Sequence, residues 1–489
     1  ISINSDFIFF SRFFAIILSA LIACAALPCG AEEKTEVLRV YNWQDYINEG
    51  KDDDGAAVGE SVMEMWEKDY EKRTGRKVRV QYDTFETNET MINTLKTGKT
   101  TYDLVCPSDY IIQKMINATE SGSDASISVE KYDISKMENY KKYVSPYISE
   151  LFEKNGWMDY AVGYMWGTVG FLYDPEDVKA ADADTWDLFW NTAYKNRITC
   201  KDVSRDSYVI GALHVFKDEL CKYRDMYKDG SLTRDELQKK VNAIANNTDD
   251  ETIKKVGKAL AEMKKNIYGF EVDTGKTDIV SGKIDANLAW SGDAVYAMNL
   301  AEEEDNKKLE FNVPSEGSTI WFDGWVMPKG ANTELAQDFV DFLCKPEIAA
   351  YNMEYIGYTS VIAGDEIYDM VKSEYGDDKG KYDYDLTYFF DGTLSEDRLQ
   401  NDGRVIIKTN ELRRQLATQY PDEDVTARCG VMEDFGDRNE KVLEMWSSVK
   451  SNQISPVVYA VIALILVLIA ALIIFSVQMR KNKRRRRRG

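Results

Sequence analysis

Two long apolar segments, one near each end of the chain, confine the folded body to the residues between them. The first, 13–27, is followed by small residues and then by acidic ones. The second, 457–477, contains no charged residue, and at ~1.5 Å per residue a helix of this length spans the ~30 Å apolar core of a bilayer. The tail that follows, 478–489, is rich in lysine and arginine, which stay on the cytoplasmic side of a membrane. We therefore predict a body outside the membrane, anchored by a C-terminal transmembrane helix.

The N-terminal segment has the length and order of a signal peptide, so we predict that residues 1–31 are removed. Two processing sites fit the sequence. Ordinary cleavage after Ala31 is favoured over lipidation of Cys24, because a lipid would duplicate the C-terminal anchor. An uncleaved N-terminal span is the remaining alternative.

The composition of the body narrows the possible classes of function. The chain has 61 basic and 83 acidic residues and a net charge of −22, and the basic tail makes the rest more acidic still. This charge opposes binding to nucleic-acid phosphates and is compatible with cationic ligands. The single histidine, His214, lies in an apolar stretch and is predicted to be a packed helix residue. The five cysteines beyond the signal peptide are scattered, so neither a metal site nor a cofactor is predicted.

The first part of the body alternates strand-like and helix-like segments. Strands are predicted at 37–43, 77–85 and 102–106, with helices at 60–74 and 89–96 between them. This order is typical of a parallel α/β sheet, which binds ligands at the carboxyl ends of its strands. The residues that follow these three ends are nearly all polar or aromatic. Because the body exceeds the size of a single core, two lobes are expected.

Six short segments occur in the order in which one known family has them. They are 41–46 (YNWQDY), 85–91 (FETNETM), 102–110 (YDLVCPSDY), 164–167 (YMWG), 321–323 (WFD) and 355–358 (YIGY). Together they resemble the spermidine/putrescine-binding proteins of polyamine ABC importers, over about residues 37–358. The resemblance implies an α/β, two-lobed periplasmic-binding-protein fold (type II-like), with the polyamine held in a cleft between the lobes.

The resemblance also implies that the chain crosses between the lobes more than once. The predicted segments are 1–31 signal peptide, 32–143 lobe 1, 144–323 lobe 2, 324–365 return to lobe 1, 366–450 return to lobe 2 with an insertion, 451–456 linker, 457–477 transmembrane helix and 478–489 cytoplasmic tail. The stretch 364–398, rich in Asp, Tyr and Gly, is predicted to be irregular.

A polyamine combines ammonium groups with apolar methylenes, so carboxylates should bind its charges and aromatic faces should cover its chain. The resemblance implies aromatic walls at Trp43, Trp290, Trp321 and Tyr358, acidic partners at Asp45, Asp206 and Asp323, hydroxyls at Ser108 and Tyr110, and cleft-lining side chains at Gln44 and Tyr46. The chain departs from the family pattern at Gln44 and Asp45. In the segment 201–206 (KDVSRD), only Asp206 matches an acidic ligand-binding position of the family. These departures leave the choice between diamine and triamine open.

On this resemblance the chain is predicted to be a receptor rather than an enzyme. It would capture spermidine or putrescine by lobe closure and deliver it to ABC permease subunits with a separate ATPase, since the sequence has no Gly-x-x-x-x-Gly-Lys-[Ser/Thr] loop.

Three alternatives stay open. The ligand could be another cation such as agmatine, an amino-sugar amine or thiamine. The body could be a secreted hydrolase with Asp45 and Asp323 as acid and base. It could also be a cell-surface sensor or adhesin that retains the fold.

Overall fold

The computed structural model describes residues 35–51 and 55–451. The strands are β1 (Glu36–Trp43), β2 (Val78–Phe85), β3 (Leu104–Val105), β4 (Ala161–Tyr173), β5 (Ile198–Lys201), β6 (Gly269–Glu271), β7 (Ala286–Trp290), β8 (Glu310–Asn312), β9 (Ser318–Val326), β10 (Thr359–Ser360), β11 (Tyr382–Asp385), β12 (Ile406–Thr409) and β13 (Cys429–Val431). The α-helices are α1 (Val62–Thr74), α2 (Asn88–Thr97), α3 (Asp109–Ser121), α4 (Glu138–Tyr143), α5 (Pro146–Lys154), α6 (Ala180–Ala183), α7 (Ser204–Val215), α8 (Lys217–Lys228), α9 (Arg234–Ala245), α10 (Asp250–Met263), α11 (Gly275–Val280), α12 (Ser291–Asp305), α13 (Thr333–Leu343), α14 (Pro346–Ile356), α15 (Asp365–Tyr375), α16 (Thr387–Phe390), α17 (Gln415–Gln419), α18 (Glu423–Ala427) and α19 (Asn439–Lys450).

A mixed sheet joins two groups of parallel strands. The hydrogen-bonded order of its main path is β2-β1-β3-β9-β4-β7-β5-β6. Strand β1 pairs in parallel with β2 and β3 at one end, as the sequence predicts, and β5 pairs in parallel with β6 and β7 at the other. The antiparallel strands β4 and β9 lie between the two groups. The carboxyl ends of both parallel groups are therefore the places where ligand-binding side chains are expected.

Strands β4 and β9 form a joint that is buried throughout. Every residue of both strands is buried, which fits their near-continuous aromatic and apolar sequences. Gly167 on β4 allows a close approach: a Cβ atom there would lie 2.1 Å from Ser291 Oγ and 2.7 Å from the Trp321 indole. The backbone next to it also binds this indole, because Trp321 Nε1 donates to the Thr168 carbonyl at 3.3 Å. The joint thus fixes the position of Trp321.

The prediction that 364–398 is irregular is wrong. This stretch contains α15, β11 and α16, and β11 pairs with β12 in a separate antiparallel ribbon. Helix α15 buries Ile367, Tyr368 and Val371 on one face, and α16 buries Phe389 and Phe390. The many Asp and Gly residues of this stretch suggested an irregular structure. Its few apolar residues are nevertheless close enough in sequence to form the buried faces of short helices.

The predicted fold class needs one correction, which concerns the transmembrane helix. Within residues 35–51 and 55–451 no helix is long and apolar enough to cross a membrane. The longest helix of this part, α12, has 15 residues and ends in a run of acids, so at ~1.5 Å per residue it is too short for the ~30 Å apolar core. The predicted signal peptide, the 457–477 segment and the basic tail lie outside the described residues, and the lobe boundaries stay predictions.

We expect Gly167→Ala to lower the free energy of unfolding by about 1–3 kcal/mol, because the added methyl group overpacks the joint against Trp321 and Ser291. Chemical denaturation, monitored by tryptophan fluorescence, measures the decrease in the free energy of unfolding. Gly269→Ala on β6 is the matched control, since a Cβ there meets nothing within 4 Å. Equal stability of the two variants would contradict the tight approach at Gly167.

Candidate functional site

A buried carboxylate, Asp323 on β9, lies between residues that follow β1 and β3. The Tyr46 hydroxyl donates to Asp323 Oδ2 at 2.8 Å, and the Ser108 backbone forms an antiparallel bridge with Asp323. The other oxygen, Asp323 Oδ1, is buried and has no hydrogen-bond partner among the described residues. Burial raises the pKa of Asp323 to about 6, although the nearby side chains of Ser108 and Tyr46 oppose the rise. An ionised carboxylate in such a place is stabilised by a cation.

A chain of hydrogen bonds holds Tyr46 in place. Its carbonyl accepts from the Tyr164 hydroxyl at 2.6 Å, and that hydroxyl accepts from Asn352 Nδ2 at 2.7 Å. Asn352 Oδ1 in turn accepts from the Asn48 backbone N–H at 2.7 Å. The turn after β1 is thereby tied to the central strand β4 and to helix α14, so the phenol is aimed at Asp323.

Three aromatic rings meet next to this carboxylate. The Tyr358 ring lies 5.0 Å from that of Tyr46 and 5.7 Å from that of Trp321, both edge to face. Gly292 permits this arrangement, because a Cβ atom there would come within 2.3 Å of the Tyr358 ring. The Tyr358 hydroxyl donates to Asp293 Oδ1 at 2.8 Å on helix α12. Tyr358 therefore links the Asp323 side of the cluster to the ends of the second group of strands.

The second group contributes another buried carboxylate, Asp206, in the first turn of α7. Asp206 is 4% exposed, and its Oδ1 has no hydrogen-bond partner in the described part of the chain. Burial raises its pKa to about 6, while the cations Lys201 and Arg205 and the Trp290 indole oppose the rise. Trp290 ends β7 and is half-buried, and the Lys201 ammonium lies 4.4 Å from its ring centre. Asp206 is thus connected to Tyr358 through Trp290, Lys201 and Asp293.

The ends of β2 and β3 meet through an amide. Asn88 Nδ2 donates to Ser108 Oγ at 3.1 Å and to the Tyr110 hydroxyl at 3.0 Å. The Arg205 guanidinium lies 5.0 Å from the Tyr110 ring, so this pair also approaches the Asp206 side. The convergence of polar residues at these two strand ends agrees with the expectation for a parallel sheet.

Three predicted residues stand apart from these contacts. Trp43 packs on Phe85 at 4.7 Å, and its Nε1 is buried without a partner among the described residues. Gln44 and Asp45 are exposed on the turn after β1, and Asp45 has a φ of 51°, a left-handed conformation that aspartate tolerates. No hydrogen bond or ion pair within residues 35–51 and 55–451 joins the side chains of Gln44 or Asp45 to the cluster. Their roles as ligand contacts stay predictions, as do those of the other predicted residues.

Sequence reasoning missed the charged and amide residues that complete the cluster. Asp293, Lys201, Arg205, Asn88 and Asp109 are all buried here. Lys201 and Arg205 belong to the segment that supplies Asp206, and Asp293 follows Trp290 by three positions. Proximity to a predicted site residue was the signal available for Lys201, Arg205 and Asp293, because a buried charged residue has no distinguishing pattern in a sequence. Asn88 and Asp109 follow predicted strand ends, where ligand-binding side chains are expected.

Comparison with known proteins identifies the family. Residues 66–372 match the family of bacterial extracellular solute-binding proteins. The chain belongs to this family. The putrescine-binding periplasmic protein SpuD of Pseudomonas aeruginosa is 30% identical over 350 residues, which cover 69% of this chain and 82% of SpuD. The putrescine-binding periplasmic protein PotF of Escherichia coli is 28% identical over 356 residues, covering 71% of this chain and 82% of PotF.

Solved structures support the two-lobed fold. The spermidine/putrescine ABC transporter substrate-binding protein PotD of Streptococcus pneumoniae aligns with a TM-score of 0.55 at 24% identity, covering 85% of this chain and 99% of PotD. The TpPotD lipoprotein of Treponema pallidum aligns with a TM-score of 0.56 at 20% identity and the same coverage. The two-lobed α/β prediction and the family resemblance are confirmed.

We expect the stability of the ligand-free protein to fall as the pH rises from about 4 to about 6, because the folded-state pKa of Asp323 lies above its value in an unfolded chain. The Asp323 contribution is intact below this window and lost above it, by about 1–3 kcal/mol. Asp323→Asn should remove this part of the slope, as measured by urea denaturation across the window.

Asp391→Asn serves as the control, because Asp391 is exposed. It should retain the full slope. If Asp323→Asn retained it as well, Asp323 would titrate like an exposed aspartate and the burial argument would fail.

Proposed function

We propose that the chain is the polyamine-binding protein of an ABC importer, capturing a cationic amine outside the cytoplasm and delivering it to the permease. The observation that carries the proposal is the pair of buried carboxylates, Asp323 and Asp206, each with an oxygen that no group in the described chain satisfies. Ammonium groups are the chemical complement of such oxygens. The named relatives, which are putrescine-binding periplasmic proteins, support the same ligand class and the same location.

The aromatic residues of the cluster suit the methylene part of such a ligand. The Tyr358 ring contacts those of Tyr46 and Trp321, and we propose that a bound amine replaces these contacts with its own. Covering methylenes with aromatic faces buries apolar surface and adds cation–π attraction, at about 0.5–2 kcal/mol for each ring near a charge. We propose that relative motion of the two strand groups about β4 and β9 admits the ligand.

The hydrolase alternative finds less support. It requires Asp45 and Asp323 to act as a pair, yet Asp45 is exposed whereas Asp323 is buried and bonded to Tyr46. The relatives are binding proteins, which agrees with a role without catalysis. The receptor alternatives with agmatine or another small cation retain the same site and differ only in the ligand.

Calorimetric titration of the full chain with putrescine, agmatine and spermidine tests the proposed function. One-to-one binding of an amine is the expected result. In the same assay Asp323→Asn should weaken binding by about 1.5–3 kcal/mol, the contribution of a hydrogen bond to a charged group. Asp391→Asn removes an equal charge at an exposed position and should bind like the wild type. Absence of binding to every amine would refute the function, and unchanged affinity in Asp323→Asn would refute the role of this carboxylate.

The affinity for the amine should decrease as the pH falls below about 6. Asp323 and Asp206 both take up protons near this pH, and a protonated carboxyl no longer balances an ammonium charge. Each carboxyl should cost roughly ten-fold in affinity by about pH 5, since one pKa unit corresponds to a factor of ten. Titrations at several pH values measure this. Asp323→Asn should show only the part of the decrease that comes from Asp206. If the wild-type affinity did not change across this pH range, the two carboxylates would not be the groups that bind the amine.

A further inference from the structure

The chain places a cation of its own inside the candidate site. Lys201 ends β5 with its side chain 1% exposed, and its ammonium lies 3.1 Å from Asp293 Oδ2 and 3.5 Å from Glu271 Oε1. The same ammonium donates to the Val272 carbonyl at 2.6 Å and lies over the Trp290 ring at 4.4 Å. Carboxylates, a carbonyl and an aromatic face together are the surroundings that a ligand ammonium requires.

The charge of Lys201 is retained in this place. Burial favours loss of the proton, but the carboxylates of Asp293 and Glu271 outweigh it and raise the pKa of Lys201. The pKa of Asp293 is correspondingly lowered, since Lys201 and Lys276 overcome the effect of burial. An ion pair therefore occupies this end of the cluster before any ligand arrives.

The remaining charges limit what the site can hold. Asp293 binds Lys201 and the Tyr358 hydroxyl, and Glu271 accepts hydrogen bonds from Asn287 and from the Gly275 backbone. These two acids have partners already. Asp323 and Asp206 retain open oxygens in the described part of the chain.

A second buried cation, Arg205, precedes Asp206 in the chain and lies near a further acid, Asp109. The Arg205 guanidinium lies over the Phe435 ring at 3.3 Å and donates to the Glu433 carbonyl. Burial raises the pKa of Asp109 well above its usual range, which favours its neutral form. Arg205 is therefore a second resident cation near the site, and the carboxylates of Asp206 and Asp434 also act on it. The two carboxylates that retain open oxygens, Asp323 and Asp206, match a ligand that carries two positive charges.

We propose that the Lys201 ammonium takes the place of one ligand ammonium, so that the site selects amines with two positive charges over amines with three. This inference rests on the proposed function and adds the ligand class to it. A third ligand ammonium would meet Lys201 at the Trp290 face, where its natural partners Asp293 and Glu271 are occupied. Like charges brought together in a desolvated site repel each other, which weakens binding.

The wild-type titration tests this inference without any substitution. Putrescine and agmatine, with two charges, should bind at least about ten-fold more tightly than spermidine, with three. Spermidine binding as tightly as putrescine, or more tightly, would overturn the selectivity and leave the proposed function standing. Failure of all three amines to bind would refute the proposed function itself, so the two failures are distinct.

Substitution of Lys201 tests its part in the selectivity. Lys201→Met keeps an unbranched apolar side chain and removes the positive charge. The double variant, Lys201→Met with Glu271→Gln, removes one negative charge as well. The net charge of the group formed by residues 201, 271 and 293 is then the same as in the wild type. The double variant guards against misfolding, because a carboxylate left alone in the interior is strongly destabilising. Lys222→Met, at an exposed position, is the control for loss of one positive charge.

The ratio of the spermidine and putrescine dissociation constants is the deciding readout. It should fall at least about ten-fold in the Lys201 variants, since Asp293 becomes free for a third ammonium, and should stay unchanged in Lys222→Met. Structural damage alone would weaken the binding of both amines by the same factor and leave the ratio of their dissociation constants unaltered. An unaltered ratio in a folded Lys201 variant would overturn the inference.

Discussion

Burial of the Asp323 carboxylate with one open oxygen is the constraint on which the rest of the site depends. Its position on β9, inside the joint between the two strand groups, removes it from water and leaves an electrostatic demand that only a cation meets. Tyr46, held through Tyr164 and Asn352, satisfies the other oxygen and fixes its direction. The joint thus provides both the connection between the two strand groups and the central carboxylate of the candidate site.

The aromatic rings and the charged groups perform different tasks around this centre. Trp321 and Tyr358 reach their places because Gly167 and Gly292 leave room for them, so glycine positions in the scaffold set the shape of the cluster. The pair of Lys201 and Asp293 sets its charge at the other end. Shape and charge meet at the start of helix α12, where Gly292 makes room for Tyr358 and the next residue, Asp293, accepts a hydrogen bond from its hydroxyl.

The sequence predicted the first three strands and their parallel order because each has a clear alternating or apolar pattern with a glycine-ended helix between. It predicted the receptor family and most of the clustered residues through short segments around Trp321, Asp323 and Tyr358. It failed in 364–398, where scattered apolar residues build short elements that only packing stabilises. The predicted membrane span, 457–477, lies outside the described residues, and no helix among those residues is able to cross a membrane.

The sequence by itself determined the α/β class, the acidic character of the body and the residue types suited to a cationic ligand, since local patterns and composition carry that information. Only the tertiary structure decided which carboxylates are free. Asp323 and Asp206 have open oxygens, whereas Asp293 is bound to Lys201, a residue 92 positions away, and to Tyr358. Contacts of this kind depend on how β5, β7 and α12 pack together, and no local pattern encodes them.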